Sequence, residues 1–545
     1  LTQEAIVQHR VSSAEWRWVA VASVLIMLLV SLPYLIGLLH STPAMRFSGF
    51  LFGIEDMNSY LVKMRYGARD GWLLQLVYTS EPHQGGFVHT YYLALGKLAA
   101  LIDGRGGAVS PEALVITFHA ARVVCGLALL VMIYRFAADF LPVPSQRRLA
   151  WALAVLAGGL GWLSMASSLP VEVYVPEAFT LLLIYGLPHL ALARLFLLGG
   201  WLLLFRAVEQ GDWRKAGLAG LCWLGMAWIV PFYAALLGVL IVVWLATLMV
   251  VRRRLLWKTI GLAILAGLLP ALMLAYNTWL FTTNPIFAAW SAQNVLPSPP
   301  PVDYLLAYGL LIMLGTLGAV KALRGGFSER TALLIVWPLV AGALVYAPIN
   351  VQRRLLEGVI VPLSVLATLG VWTLASWRPK DSPFVQRLRW LGLASLLMLL
   401  IPSTALMLLG GAVRASHPAQ PIFHPADELA ALTWLREQAR PDSVVLSTVE
   451  SGNVIPAYAG VRVYVGHGPE TIDVAGKSLR AQAFFHGSMS LDERHALLAE
   501  AGASYVWAGP AEQAVDCTAG CFDPLALGLR CVFRQGAYTI YEVTH

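Results

Sequence analysis

Charged side chains are scarce in this chain. They fill 13% of positions against about a quarter in ordinary soluble domains, while 58% of residues are hydrophobic. That balance excludes a plain soluble globular protein and leaves a polytopic membrane protein. No Gly-rich loop stands between a strand and a helix, so no familiar nucleotide-binding turn is present. Internal repeats and paired broken helices in corresponding halves are not evident, which counts against a transporter or a polysaccharide polymerase, although both stay open as alternatives. Residues 18–39 lack a small-residue cleavage site and read as an anchor rather than a removable signal. The chain opens at Leu1 rather than Met, so a few leading residues are expected to precede it. The net charge of +7 sits in clusters beside apolar runs, where orientation explains it better than nucleic acid does. A nucleic-acid partner is therefore excluded.

What the sequence has in abundance is apolar runs, recurring from residue 18 to residue 410 and numbering about twelve by length. They include 87–102, 149–169, 179–205 and 390–410. Basic clusters at Arg147-Arg148, Arg214-Lys215, Arg252-Arg253-Arg254, Lys321 with Arg324, and Arg378 to Arg389 are expected in the cytoplasm. The intervening loops and the polar tail then face outward. This gives a membrane module over 1–411 with a large first outer loop at 40–86, and an extracytoplasmic α/β domain over 412–545. One conflict appears: with 40–86 outside and Arg147-Arg148 inside, the crossings between them do not alternate. Either segment 87–102, short for a full crossing, is partly interfacial, or the positive-inside rule fails at Arg147-Arg148.

The first outer loop concentrates chemistry. "IEDMNSYLVKMRYGAR" places Met57, Tyr60, Leu61, Met64 and Ala68 at helical spacing, with Asn58, Lys63, Arg65 and Arg69 on other faces. That pattern predicts an amphipathic helix on the membrane surface. Asp56 at its start either caps backbone N–H groups or works with its neighbours, since Glu55, Glu81, His83 and His89 crowd the same loop. Carboxylates at a membrane face are costly unless hydrated, paired or bound to a cation, so a wet cavity is expected.

An acidic pair after the first span, juxtamembrane helices, and a polar-aromatic approach to the next apolar run together resemble the GT-C superfamily of integral-membrane glycosyltransferases. "VPEAF" at 175–179 resembles that superfamily's second outer loop, and "YAPINVQRRLLEG" at 346–358 its late outer loop. The resemblance implies a polytopic α-helical fold with about twelve spans by apolar run length, an outward-facing α/β tail, and transfer of a sugar from a polyprenyl-phosphate donor to a glycan, lipid or protein acceptor. Carried over to this sequence, it makes Asp56 the acid that acts on the acceptor, with Glu55 as neighbour and Glu81 in support. Arg353 and Arg354 would hold the donor phosphate, since guanidinium pairs bidentately with phosphate oxygens, with Lys63 and Arg65 as lesser candidates. A divalent cation, Mg or Mn, would fall to Asp56, Glu81 and His83, too few oxygen ligands for a dedicated hard-ion site. His83, His89, Glu177 and His189 are candidate substrate contacts. Where relatives have a basic Lys-Pro-Pro sequence, this chain has "SEPHQGG", which leaves the donor's identity open.

Plainer readings stand beside these. Arg353-Arg354 could be headgroup anchors. Glu172 and Glu177 could only mark an outer loop, and His189, Arg194, His119 and Arg122 could make buried interhelical bonds. In the tail, helices at 426–439 and 491–502 alternate with strands at 443–449, 461–466 and 503–509, and a hairpin closes it at 529–543. Residues 450–460 read as a loop. The turn "GHGPET", with His467 and Glu470, could line a face toward the membrane but reads first as a structural turn, and Glu450 and Asn453 likewise. Cys517 and Cys521 could form a disulfide, with Cys531 as a competing partner, and two thiols without further ligands argue against zinc. Besides the enzyme, a non-catalytic GT-C-fold subunit of a larger membrane assembly also accommodates these features.

Overall fold

The computed structural model describes residues 10–69, 71–104, 109–376, 383–486, 488–513 and 522–544. Helices dominate, as the apolar runs require. The helix Ser13–Leu39 opens with reciprocal capping: Glu15 N–H donates to Ser12 Oγ (3.2 Å) and Ser12 N–H to Glu15 Oε2 (3.0 Å). Six helices among the described residues are long and apolar enough to cross a membrane: Ser13–Leu39, Pro111–Phe140, Pro188–Gln210, Tyr233–Arg252, Trp257–Thr283 and Pro301–Arg324. A seventh is reached if Leu391–Leu400 and Pro402–Ala415, bent by 45°, count as one.

The expected twelve or so crossings are therefore not confirmed, and the cause is visible at particular breaks. The run at 179–205 divides into Thr180–Gly186 and Pro188–Gln210, because Pro188 lacks the N–H that would continue the first helix. The run at 149–169 is helical only to Leu156 and continues as short 3₁₀ turns. The run at 87–102 is the 14-residue helix Thr90–Asp103, about 21 Å long and too short for ~30 Å of hydrocarbon. With it not crossing, a single crossing, Pro111–Phe140, separates the first loop from Arg147-Arg148, and the alternation conflict disappears. Arg147 itself is buried, its Nη1 donating to Glu15 Oε1 at 2.8 Å.

The chain forms two compact units, neither contiguous in sequence. One comprises the chain up to Leu32, Ala121–Thr278 and Val295–Gly410; the other Pro33–Ala120, Trp279–Asn294 and everything from Gly411 on. The first loop thus folds with the tail. Strand β1 (Met45–Phe47) pairs antiparallel with β2 (Phe423–Pro425). The tail's strands are β3 (Val444–Leu446), β4 (Arg462–Val463), β5 (Ala503–Ala508), β6 (Arg530–Gln535) and β7 (Tyr538–Glu542), forming one sheet in the order β4-β3-β5-β7-β6. β3 runs parallel to β4 and β5, while β7 is antiparallel to β5 and β6. Leu446, Val465, Phe484, Leu497 and Val506 are among the residues that close its core.

The segment expected as a loop at 450–460 is instead the helix Val449–Ala459, with Pro456 inside it. Pro456 cannot donate to the Gly452 carbonyl one turn back. That carbonyl is where Gly466 packs: a Cβ on Gly466 would lie 2.4 Å from Gly452 O. The expected Cys517–Cys521 bridge lies outside the described residues, and Cys531 is an exposed free thiol.

Candidate active site

In the loop-and-tail unit, the helix Ile54–Arg69 carries Glu55 and Asp56 in its first turn, where unpaired N–H groups favour negative charge. It packs tightly on Thr90–Asp103, because a Cβ on Gly96 would lie 1.8 Å from Met64 O, an approach only glycine allows. Glu55 is exposed. The Asp56 side chain is 63% exposed, yet its Oδ1 accepts a hydrogen bond from His467 Nε2 at 3.2 Å. His467 is buried. The turn read as structural therefore places an imidazole against the leading acid.

The helix's polar face, expected on the membrane surface, is buried as well. Asn58 Nδ2 donates to Asn453 Oδ1 at 2.8 Å, and Ser59 Oγ donates to Glu470 Oε1 at 2.7 Å. Lys63 Nζ donates to the same Glu470 oxygen at 2.6 Å and to Ser59 Oγ. Burial pushes the Glu470 carboxyl up, but the charges of Lys63, His467 and His89 outweigh it and hold it at about 2. Arg65 donates from Nε to Ala457 O (3.0 Å) and from Nη1 to Val109 O (2.9 Å), and burial pulls its guanidinium down to about 10. Lys63 and Arg65 thus fasten the first loop to the tail, which corrects their assignment as phosphate contacts.

The proposed cation ligands do not assemble either. Glu81 pairs with Lys477 (2.6 Å) and accepts from Thr79 Oγ1. Burial would raise its carboxyl, and these partners instead hold it below the ordinary carboxylate range. Both ring nitrogens of His83 are engaged: Nε2 accepts from Leu76 N–H (2.8 Å) and Nδ1 donates to Glu81 O (2.9 Å). Among the described residues no three His, Cys, Asp or Glu side chains come together as a metal site. The set Asp56, Glu81 and His83 does not fit a divalent ion. His89 begins the Thr90–Asp103 helix at φ 52°, its ring 5.4 Å from that of Trp290.

In the membrane unit, the turn Gln352–Leu356 presents Arg353 and Arg354, both half-buried. The Arg353 guanidinium lies 5.7 Å from the Tyr174 ring and that of Arg354 5.5 Å from Phe232. Arg354 Nε also lies 3.5 Å from Glu177 Oε1. Beneath the turn, Arg194 and Glu357, both 0% exposed, form an ion pair at 2.5 Å. Tyr233 OH donates to Glu357 Oε2 (2.7 Å), and Arg194 Nη2 donates to Glu177 O (2.6 Å). One guanidinium thereby ties together the segments that carry Glu177 and Glu357. His189 is half-buried on the same helix as Arg194. Glu172 is buried and accepts from Gly161 N–H at 2.8 Å. An apolar cleft of about 540 Å³ opens beside the turn, lined by Tyr304, Tyr308, Pro338, Tyr346, Leu356 and Leu363 among others.

Sequence reasoning did not single out Glu357, Tyr233 or Tyr174. The signal for Glu357 was an acid at the head of an otherwise apolar run, which calls for a buried cation. His119 and Arg122 take structural roles: His119 Nε2 donates to Gly49 O (2.8 Å), and Arg122 Nη2 to Ser31 Oγ (2.8 Å).

No family model and no curated relative matches the sequence. Solved structures do match. The oligosaccharyltransferase of Archaeoglobus fulgidus in its apo form aligns with a TM-score of 0.54 at 13% identity, covering 89% of this chain and 69% of that one. Its complex with Zn and sulfate aligns at 0.52 and 13% identity, covering 88% and 67%. ArnT from Cupriavidus metallidurans in the apo state aligns at 0.47 and 14% identity, covering 96% and 98%. The chain thus shares its fold with the archaeal oligosaccharyltransferase, in keeping with the resemblance drawn from its sequence.

Proposed function

We propose that this chain is a membrane glycosyltransferase that moves a sugar from a polyprenyl-phosphate donor to an acceptor hydroxyl at the outer face of the membrane. The observation that carries the reading is the apolar cleft bordered by the Gln352–Leu356 turn, within a fold shared with an oligosaccharyltransferase. A long isoprenoid suits a cleft walled by tyrosines and aliphatic side chains, and its phosphate suits a guanidinium already seated on an aromatic face. Arg353 is the better phosphate contact, because Arg354 has Glu177 beside it. Asp56 has the opposite character: an exposed carboxylate with one oxygen held by His467.

In the reaction the acceptor oxygen bonds to the anomeric carbon and the carbon–oxygen bond to the phosphate breaks. The acceptor's proton passes to Asp56 of the loop-and-tail unit, and the polyprenyl phosphate departs with the electrons of the broken bond; within the membrane unit, Arg353 is the cation suited to a phosphate. Glu55 is the neighbouring carboxylate. The first loop and tail face outward in this reading, with the basic clusters in the cytoplasm.

The test uses cells from which the gene has been deleted and which re-express the full chain. Mass spectrometry first identifies the glycoconjugate lost on deletion. Asp56→Asn should express at the normal level and restore none of it. Full restoration by Asp56→Asn would end the enzymatic reading in favour of a non-catalytic subunit.

A further inference from the structure

We propose that His467, supplied by the tail, is the positioning residue for Asp56: it holds Oδ1 and so fixes the carboxylate that takes the acceptor's proton. The inference rests on the reading of Asp56 as the proton acceptor. Nε2 of His467 lies 3.2 Å from Asp56 Oδ1, and since an ionised carboxylate only accepts, Nε2 is the donor. Asp56 needs such a restraint, because its side chain is 63% exposed and a two-torsion carboxylate in water samples several rotamers.

The imidazole is itself fixed from several sides. Thr471 N–H donates to His467 O (2.9 Å), and Gly466 N–H donates to Thr471 Oγ1 (3.1 Å). Thr471 Oγ1 in turn donates to Tyr78 O (2.8 Å). The Tyr78 ring lies 5.5 Å from the imidazole, and Tyr78 OH donates to Asn453 O (3.0 Å). On the far side, Nδ1 is buried without a hydrogen-bond partner and faces Glu470 Oε1 at 3.8 Å. Glu470 cannot swing away, being held by Ser59 and Lys63. Asp56, His467, Glu470 and Lys63 thus form one line of contacts, closed by the Lys63–Glu470 ion pair. A buried ring nitrogen aimed at a fixed carboxylate is costly as plain packing, and its geometry suits a ring held in one orientation. A ring fixed from behind and donating forward is how a positioned carboxylate is built.

The experiment compares two substitutions of His467 in the deletion strain described above. His467→Phe keeps the ring's size and removes the donor, whereas His467→Gln keeps an N–H donor near the position of Nε2. The level of the missing glycoconjugate should fall about tenfold to a hundredfold with Phe and recover most of that loss with Gln. Thermal unfolding of both purified full-length variants separates a positioning role from misfolding. Equal Tm values with unequal product support the proposal, and equal product overturns it. If Phe unfolds the tail, Gln against His467→Met, an unbranched side chain without a donor, makes the same comparison. In an Asp56→Glu background that retains partial activity, His467→Phe should add little further loss, and a full additional loss overturns the proposal. The two readings fail differently. An active Asp56→Asn removes the base itself, whereas an inactive Asp56→Asn with a fully active His467→Phe removes only the positioning role.

Discussion

Two basic pairs in this chain look interchangeable in sequence and end in opposite circumstances. Lys63 and Arg65 sit on the Ile54–Arg69 helix, buried, donating to the Glu470 carboxylate, the Ser59 hydroxyl and backbone carbonyls of the loop-and-tail unit. Arg353 and Arg354 sit on a 3₁₀ turn, half-exposed, over the faces of Tyr174 and Phe232. The first pair is structural because desolvated cations must be paired where they lie. In the second pair Arg354 has Glu177 beside it, whereas Arg353 rests on an aromatic face, which supports a guanidinium without neutralising it. A cation's number of neighbours, more than its identity, separates the two roles.

The comparison can be broken most forcefully at Lys63. Lys63→Met leaves Glu470 buried beside a methyl group and should cost roughly 3 kcal/mol of stability, read as a lower Tm, with no specific rise in the Michaelis constant for the lipid donor. Acid should reproduce part of that loss in the unaltered protein. Glu470 sits at about 2 when folded against an ordinary value of 4.5, so its contribution is complete above about pH 4.5 and disappears as pH falls toward 2. A pH series of unfolding midpoints checks this, and Lys63→Met should flatten that window. Arg353→Ala should do the reverse of Lys63→Met, leaving Tm in place and raising the Michaelis constant for the donor about tenfold or more. An unchanged constant would return Arg353 to the role of a headgroup anchor. The smallest expected effect belongs to Tyr174→Leu, which removes the face under Arg353 and should weaken donor binding by about 0.5–1 kcal/mol, a few-fold in the same constant.

Much of the architecture was legible because it follows from local rules. Composition alone indicated the membrane, and period-2 and period-3.6 patterns located strands of the tail's sheet and its helices at 426–438 and 491–501. The Ile54–Arg69 helix was legible too, although its environment was not. Its polar residues have the spacing of a solvated face, and only the arrival of Asn453, Ala457 and Glu470 from nearly four hundred residues away buries them. The span count stays unconfirmed where an apolar run does not become one long helix, as at 149–169, helical only to Leu156, and at 87–102, a 14-residue helix. The Val449–Ala459 helix was missed because Pro456 reads as a breaker, whereas its missing N–H falls where Gly466 packs.

Side-chain chemistry shows the same division. Asp56 was found because acids are rare next to an apolar span, and rarity is a one-dimensional property. His467 was passed over because Gly, Pro and polar residues around it describe a turn, and nothing in a turn's composition says what it faces. Glu357 escaped notice for a related reason: its partner Arg194 is 163 positions away.

What the amino-acid order determined by itself was therefore the solvent of each segment and the period of each element, since both depend on transfer free energies and backbone geometry over a few neighbouring residues. Which charges neutralise each other, and which stay open to a ligand, was decided only in three dimensions. Coulomb attraction and desolvation depend on distance through space, and distance along the chain does not encode it.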